Sequence, residues 1–367
     1  MSVPGSRMAA QVLQTHTPKL FAAAVSHAAQ LLKKGEVVAL PTETVYGLAA
    51  NAFDPAAVGR IYDVKGRPAH NPTIVHVAEI EMARRCVSKW PPLANKLASA
   101  FWPGPLTVVL PRSSSVPDIV TAGGETVGVR WPSHPLIQAV IRKCGFPLAA
   151  PSANLSNQLS PTNAEHVLKG LGDKIPLIVD GGQSQVGIES TVLDLSVAPP
   201  CILRPGMIHE QSLLAVTGEL ATGAGVSAQI LKSPGQLPRH YAPKARLVIL
   251  SWQDDVDLKH KVLALIRNTQ YAIRNTEHAI RNTPQLPPHD PLTLCRCFVI
   301  SHTRIPSGTG WAQVSVIPHD PEAFARALYA EMHRGDAAGA ELIVIEAVPE
   351  NAEWNAIRDR LSRAATP

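Results

Sequence analysis

Short apolar runs alternate with stretches of helical periodicity along most of the chain, and this alternation is the feature that most constrains the fold. Runs of this kind occur at 73–77, 106–110 and 177–179. Apolar residues at helical spacing lie between them, as at 92–100 and 163–171. Strands that alternate with helices are typical of α/β proteins. The sequence therefore predicts an α/β fold with helices packed on a twisted mixed sheet.

A segment rich in proline and glycine divides this pattern in two. Its densest part is SPGQLPRHYAPKA at 233–245, a composition typical of a semi-rigid linker. A chain of 367 residues is long enough for two domains that each bury a core. We expect a first domain over residues 1–215, a linker over 216–245, and a smaller Rossmann-like, doubly wound α/β domain over 246–367.

A tandem repeat lies inside the second region. The sequence Ile-Arg-Asn-Thr occurs at 266–269, 273–276 and 280–283, and a proline-rich stretch follows as far as residue 291. Because Arg, Asn and Thr follow each Ile, the repeat lacks the second apolar seam of a coiled coil. We interpret 266–291 as an inserted loop.

The composition limits the class of protein. No apolar run reaches the ~20 residues that cross a bilayer, and the first residues lack the continuous apolar core of a secretory signal. The five cysteines are scattered without a C-x-x-C pair, which argues against a disulfide framework or a zinc knuckle. We expect a cytoplasmic protein that has no membrane partner and no metal site built from its own side chains.

The formal net charge of +5 is distributed unevenly. Residues 1–215 carry 18 Lys and Arg against 14 Asp and Glu, whereas residues 246–367 carry 13 against 14. A few cations that converge in a cleft attract an anionic ligand such as a phosphate. The alternative is a double-stranded-RNA or tRNA-binding module, although no stretch has the dense Lys/Arg cluster typical of one. Such a module would bind with a steep salt dependence and without ATP turnover.

Polar segments follow several of the predicted strands, where α/β proteins gather ligand-binding groups. KGRP at 65–68 places two cations beside a glycine, so that both can turn toward one phosphate chain. PSAN at 151–154 and LRPG at 203–206 can hold a ligand or simply form turns, and KGRP by itself is also typical of a solvated basic turn. Neither a G-x-x-x-x-G-K-[ST] phosphate loop nor a G-x-S-x-G elbow is present, so a P-loop NTPase and a serine hydrolase are not indicated.

In combination and in order, these segments resemble the YrdC-type threonylcarbamoyl-adenylate synthase family over residues 18–215. HYAP at 240–243 and the second α/β region resemble the long, two-domain form of that family. The segments that carry the resemblance are PTETVYGL (41–48), KGRP (65–68), NPTIVHV (71–77), WPGPLT (102–107), TVGVRWP (126–132), APSAN (150–154), GIESTV (187–192) and LRPG (203–206).

The resemblance implies a reaction in which L-threonine, bicarbonate and ATP give threonylcarbamoyl-adenylate and pyrophosphate. The product would serve the N6-threonylcarbamoyladenosine modification at position 37 of tRNA. Mg²⁺ would bridge the phosphates. A tRNA threonylcarbamoyl transferase complex would take the product. A weak direct contact with tRNA is a further expectation. Carbamoyl transfer from carbamoyl-phosphate, as in related hydrogenase maturation proteins, is the enzymatic alternative, but the accompanying acylphosphatase and zinc-finger segments are absent.

The resemblance also implies the site residues. Those implied for ATP are Lys65, Arg67, Asn71, Thr126, Ser152, Asn154, Ser160, Arg204, His240 and Tyr241, with Lys65 and Arg67 as the catalytic cations. Those implied for L-threonine are Thr44, His76, Arg130, Ser190 and the backbone of Ala150. No side chain is an obvious general base, and His76, which alone would be typical of a core histidine, is the secondary candidate. The linker is expected to close over the site as a lid, with His240 or Tyr241 touching the nucleotide.

Overall fold

The structure is a computed structural model that describes residues 9–221, 232, 234, 241–277, 296–307 and 310–366. Of these, residues 267–277 are described by their backbone only. His240 and the later part of the repeat segment, from residue 278, lie outside the described residues. No helix in the described ranges is long and apolar enough to cross a membrane.

A twisted mixed sheet forms the first unit, as predicted. Among the described residues it has ten strands in the order β1-β8-β2-β3-β7-β4-β6-β5-β9-β10. The strands are β1 (Gln11–Gln14), β2 (Val38–Leu40), β3 (Gly47–Asn51), β4 (Ile74–His76), β5 (Leu106–Pro111), β6 (Thr126–Arg130), β7 (Leu148–Ala149), β8 (Leu177–Asp180), β9 (Thr191–Asp194) and β10 (Cys201–Arg204).

Helices pack on this sheet and bury its apolar side chains in one continuous core. They are α1 (Pro18–Lys33), α2 (Pro55–Lys65), α3 (Ile80–Cys86), α4 (Pro92–Phe101), α5 (Asp118–Thr121), α6 (Pro135–Cys144), α7 (Ala164–Leu171) and α8 (Glu210–Thr217). α1 begins where the Thr17 side chain accepts a hydrogen bond from the backbone N–H of Leu20, and proline occupies the first helical position.

Helix α2 was not anticipated from the sequence, although it carries the predicted site residue Lys65. The Asp54 side chain caps its start by accepting hydrogen bonds from the N–H groups of Ala56 and Ala57. The helix ends at Lys65, and Gly66 adopts a left-handed φ of +60° that redirects the chain. The KGRP segment is therefore a helix C-terminus rather than an open basic loop.

Strand β3 begins inside the PTETVYGL segment, at Gly47, and its composition gives little sign of a strand. Gly, Ala and Asn, which make up most of this strand, have low strand propensity. The strand forms because it pairs antiparallel with β2 on one side and with β7 on the other. Tertiary pairing thus overrides local preference here.

A parallel sheet forms the second unit, with strand order β11-β14-β12-β13 over the described residues. Its elements are β11 (Arg246–Leu250), α9 (Asp255–Glu277), β12 (Cys297–Ser301), β13 (Gln313–Val316), α10 (Pro321–Ala337), β14 (Leu342–Glu346) and α11 (Asn355–Ala365). Phe298 and Ile300 of β12 pack in the core shared with α10 and α11, and Cys297 and Val299 pack on the opposite face with α9. Helices on both faces make this unit doubly wound, as predicted.

The inserted-loop interpretation of 266–291 was wrong over its first part. Helix α9 continues through the first Ile-Arg-Asn-Thr and into the second, and ends at Glu277. Arg, Asn and Thr are compatible with a helix that has already been nucleated, since each residue added after nucleation closes one further hydrogen bond. The predicted linker, 216–245, begins within the last turn of α8, which ends at Thr217, and stops at the residue before β11.

The two units are in direct contact. Arg326 of α10 donates from Nε to the carbonyl of Gln185 (2.7 Å), and Nε2 of His333 lies 3.1 Å from the carbonyl of Ser160. Gly187 packs against the α10 backbone so closely that a Cβ there would lie 2.4 Å from the Ala325 carbonyl oxygen. The segment before β9 is therefore fixed from the side of the second unit.

Gly187 tests this contact. We predict that Gly187→Ala destabilises the protein by about 3 kcal/mol or more, because about 1–2 kcal/mol of left-handed strain adds to a clash with the α10 backbone. The matched control is Gly182→Ala, which has the same φ of +83° but open space around the added Cβ. It should lose only about 1–2 kcal/mol from strain. Urea denaturation measures both losses, and equal losses would contradict the predicted contact.

Candidate functional site

A small cavity lies among the polar segments that follow the strands of the first unit. Its volume is ≈ 40 Å³, so its walls stand close together. Residues of the first unit that line it are Thr42, Thr44, Val45, Gly47, Arg67, Ile74, His76, Arg130, Ala150, Pro151, Ser152, Glu189, Ser190 and Arg204. Pro234 and Tyr241 of the linker complete the wall. Three guanidinium groups thus face one buried space.

Lys65 and Arg67 stand on the side formed by the end of α2. The ammonium of Lys65 donates to the carbonyls of Ser152 (2.6 Å) and Asn154 (2.5 Å). Burial, followed by the charge of Arg67, holds the pKa of Lys65 well below its usual range. Lys65 therefore lies directly behind the PSAN segment and braces it.

Arg67 is held by backbone and amide oxygens rather than by a carboxylate. Its Nη2 donates to the Asn71 side-chain oxygen (2.8 Å) and to the Pro72 carbonyl (2.6 Å), and its Nε donates to the Asn71 carbonyl (3.0 Å). Burial lowers the pKa of Arg67 to about 10, so the group stays charged at neutral pH. A buried cation whose hydrogen-bond acceptors are neutral keeps its charge available for an anionic ligand.

Arg130 stands at the carboxyl end of β6 on the opposite wall. It donates to the Thr44 hydroxyl (2.9 Å) and to the Gly104 carbonyl (3.2 Å). Its Nη2 lies 2.7 Å from Oε1 of Glu43, in an ion pair that lacks hydrogen-bond alignment. Glu43 was not singled out from the sequence, although it belongs to PTETVYGL. A pairing that joins β6 to the β2–β3 turn leaves no local pattern that would have revealed it.

His76 is the neighbour of Arg130 across the sheet, since β4 and β6 pair in parallel with these two residues in register. Its ring is buried, and Nδ1 has no hydrogen-bond partner within the described residues. Burial, followed by the charge of Arg130, lowers the pKa of His76 to about 3. The imidazole is therefore neutral at physiological pH and is a weak base.

Ser190 and Arg204 form the third wall. Arg204, at the end of β10, donates from Nε to the Ser190 carbonyl (3.1 Å) and from Nη2 to the Ser190 hydroxyl (3.1 Å). Its Nη1 donates to the carbonyl of Pro234 in the linker (3.2 Å). The Ser190 hydroxyl also lies 2.8 Å from that of Thr107. One arginine thus joins the strand ends to the segment that covers them.

The predicted site residues fall into three groups. Those on the cavity wall are Thr44, Arg67, His76, Arg130, Ala150, Ser152, Ser190, Arg204 and Tyr241. Lys65, Asn71 and Asn154 lie immediately behind it through the bonds described above, and Ser160 reaches it by donating to Glu189 (2.5 Å). Thr126 pairs with Pro111 at the opposite end of β6 from Arg130 and does not line this cavity. His240 is outside the described residues.

The charges around the cavity suit a ligand with several negative charges. Guanidinium forks bind carboxylate and phosphate oxygens in pairs, and low-dielectric walls strengthen that attraction. Within the described ranges, no three His, Cys, Asp or Glu side chains cluster in a way that would hold a metal ion.

Two family models together match most of the chain. One, described as "Telomere recombination", matches residues 30–206. The other, described as "Threonylcarbamoyl-AMP synthase, C-terminal domain", matches residues 207–366.

Individual proteins match over similar lengths. The threonylcarbamoyl-AMP synthase of Pyrococcus abyssi is 37% identical over 342 residues, which cover 92% of this chain and 93% of that protein. The Bacillus subtilis protein of the same name is 48% identical over 240 residues, which cover 65% of this chain and 68% of that protein. The crystal structure of P. abyssi Sua5 complexed with L-threonine matches with a TM-score of 0.80 at 36% identity, over 96% of each chain. By sequence and by fold, the chain belongs to the threonylcarbamoyl-AMP synthase family.

Proposed function

We propose that the protein condenses L-threonine, bicarbonate and ATP into threonylcarbamoyl-adenylate and pyrophosphate, and so serves N6-threonylcarbamoyladenosine formation at position 37 of tRNA. The observation that carries this proposal is the convergence of Arg67, Arg130 and Arg204 on one buried cavity. Each arginine comes from a different segment, so the three can hold the separate anionic groups of ATP and an amino acid.

The ATP phosphates fit the side formed by Arg67 and Arg204, with Lys65 behind it. At ~4 Å and an effective dielectric constant of ~20, each cation–phosphate pair is worth about 4 kcal/mol before desolvation. Asn71, Ser152, Asn154 and Ser160 would complete the nucleotide site. A phosphate near Lys65 would raise the pKa of that ammonium and favour its charged form.

L-threonine fits the side formed by Arg130. Its carboxylate can take the guanidinium fork, while the Thr44 and Ser190 hydroxyls and the Ala150 backbone position the rest of the molecule. Glu43 pairs with the same guanidinium from behind, which keeps the arginine oriented. The neutral His76 ring can donate or accept a hydrogen bond without adding charge.

The reaction then proceeds by alignment and charge stabilisation. The threonine amine adds to bicarbonate with loss of water, and the resulting carbamate oxygen attacks the α-phosphorus and expels pyrophosphate. The carbamate is already anionic, so the attacking atom does not depend on a general base. Lys65, Arg67 and Arg204 offset the repulsion between carbamate and triphosphate. Mg²⁺, which would neutralise phosphate charge, would be held through the phosphates, since the described side chains provide no carboxylate cluster.

The linker would act as a lid over this site. The bond from Arg204 to the Pro234 carbonyl and the position of Tyr241 on the cavity wall support this role. Because the cavity holds only ≈ 40 Å³, substrates require the lid to open before it closes over them. A closed lid would also keep water from the labile adenylate until a tRNA threonylcarbamoyl transferase complex receives it. We expect this hand-off to take place in the cytoplasm.

The direct test is pyrophosphate release from ATP in the presence of Mg²⁺ and bicarbonate. We expect release that depends on L-threonine and falls when L-serine or L-valine replaces it, with threonylcarbamoyl-adenylate detected by mass. Folded protein that releases no pyrophosphate in any mixture would overturn the proposal. Steeply salt-dependent tRNA binding in that same preparation would favour the RNA-binding alternative.

The buried cations should dominate the rate. We predict that Lys65→Ala and Arg67→Ala each lower threonine-dependent pyrophosphate release by about 100-fold or more, because each removes a charge that offsets anion repulsion. The matched control is Lys169→Ala, which removes a cation that is exposed and paired with Glu165 at the surface of α7. The control should retain its activity. Near-normal turnover in both site variants would contradict the electrostatic mechanism.

His76 should not act as the general base. Its pKa of about 3 leaves the ring neutral above that pH, so the titration of His76 does not change the reaction rate between about pH 5 and 8. We predict that His76→Gln lowers kcat/KM for threonine while the shape of the profile matches the wild type. A change in the reaction rate around pH 6.5 that is present in the wild type and missing from the variant would show that His76 transfers a proton.

A further inference from the structure

A buried carboxylate stands on the wall of the proposed anion site. Glu189 lines the same cavity as Arg67, Arg130 and Arg204. An uncompensated anion there would repel a triphosphate and would compete for the nearby arginines. The proposed activity therefore requires that something neutralise Glu189, and the sequence motif around it contains no cation.

The second unit supplies that cation. Arg360 of α11 is fully buried and donates from Nε to Oε2 of Glu189 (2.8 Å) and from Nη2 to the Glu189 carbonyl (3.2 Å). Tyr329 of α10 donates its hydroxyl to the same carboxylate (3.1 Å). Ser160 donates to the other carboxylate oxygen (2.5 Å). Glu189 is thus fully paired before any ligand arrives.

Arg360 also contacts the linker. Its guanidinium carbon lies 5.2 Å from the ring centroid of Tyr241, within the range of a cation–π contact. The Tyr241 ring is in turn 5.9 Å from that of Tyr329. Tyr241 has a φ of +62°, a conformation that strains a bulky residue and persists only where its surroundings hold it. One side chain of α11 therefore secures both the carboxylate and the linker residue.

The charges that face Glu189 determine whether Arg204 pairs with this carboxylate or stays available for a ligand. Burial would raise the pKa of Glu189, but the charges of Arg360 and Arg204 and the hydrogen bond from Ser160 outweigh burial and lower it. The other titratable groups near the pair are Asp359, whose carboxylate accepts a hydrogen bond from Nη1 of Arg360 (2.7 Å), and Tyr241 and Tyr329, which burial keeps neutral by raising their pKa values. With Arg360 present, Glu189 stays ionised and satisfied, so Arg204 need not pair with it. Without Arg360, Arg204 would be the remaining cation for a desolvated carboxylate.

We propose that Arg360 is a positioning residue for ATP. By neutralising Glu189 and fixing the main chain next to Ser190, it frees Arg204 for phosphate and holds Tyr241 at the cavity wall. The second unit thus completes the nucleotide site with one side chain. This inference rests on the proposed function, but its test uses ATP binding and does not require turnover.

The test compares the affinity for a non-hydrolysable ATP analogue across a set of variants, by calorimetry. We expect Arg360→Met to weaken binding by about ten-fold or more, because it leaves a buried charge unpaired. Arg360→Lys keeps the charge and should bind within about three-fold of the wild type, although it loses the bond to the Glu189 carbonyl. The double variant Glu189→Gln/Arg360→Met removes both charges and should recover most of the lost affinity.

The pH dependence of ATP affinity provides a second test, because a purely structural role for Arg360 would not change it. In Arg360→Met the pKa of Glu189 rises, because its strongest cationic partner is gone. Protonation then neutralises the carboxylate, so the affinity of this variant should recover as the pH falls, relative to the wild type measured at the same pH. The matched control is Arg326→Met, which removes another arginine contact between the units but leaves Glu189 paired. It should bind ATP like the wild type at every pH.

Several outcomes would overturn the proposal. These are unchanged ATP affinity in Arg360→Met, equal loss in the lysine and methionine variants, or no recovery in the double variant. If Arg360→Met does not fold, Glu189→Gln decides. This variant removes the carboxylate from the cavity wall while Arg360 keeps its ion pair with Asp359, so ATP should bind as tightly as in the wild type or more tightly, and weaker binding would refute the inference. Wild-type protein that binds the analogue but forms no adenylate would refute the proposed function and leave this test intact.

Discussion

Cations buried in the protein interior are the constraint on which the rest of the structure depends. Lys65, Arg67, Arg130 and Arg204 are each less than one-tenth exposed, as is Arg360. Removing such groups from water is costly unless their donors find oxygen partners. Carbonyls satisfy Lys65, an amide and carbonyls satisfy Arg67, and Ser190 with Pro234 satisfies Arg204. Carboxylates pair only with Arg130 and Arg360.

This division has a chemical consequence. Cations held by neutral oxygens keep their whole charge available to a ligand, whereas a carboxylate offsets part of the charge of the cation that it pairs with, as Glu43 does for Arg130. Arg67 and Arg204 are of the first kind and lie where we place the phosphates. Arg360 is of the second kind and lies behind Glu189, outside the cavity. The two units therefore share a single electrostatic arrangement, although they fold around separate sheets.

The order of motifs in the first unit allowed the fold and most of the site to be predicted. KGRP, PSAN and LRPG each stand at an element end, TVGVR forms β6 with Arg130 at its end, and the tertiary fold brings these ends to one cavity. The details of the elements were less accessible, because β3 depends on pairing with β2 and β7 and α2 has little apolar periodicity. The repeat after Ile266 was taken for a loop, since three polar residues follow each Ile, yet the backbone continues as α9 to Glu277.

By itself, the sequence determined the α/β class and the two regions, because these depend on local pattern, and the resemblance of its motifs to a known family indicated the cationic and hydroxyl groups that meet at the cavity. Only the tertiary structure decided which charges remain available. Arg360 and Glu189 are 171 positions apart, and Glu43 and Arg130 join different elements. A pairing at such separation is produced by the packing of α11 against the first unit and by the register of the sheet. No local pattern encodes it, since either partner alone looks like an ordinary charged residue.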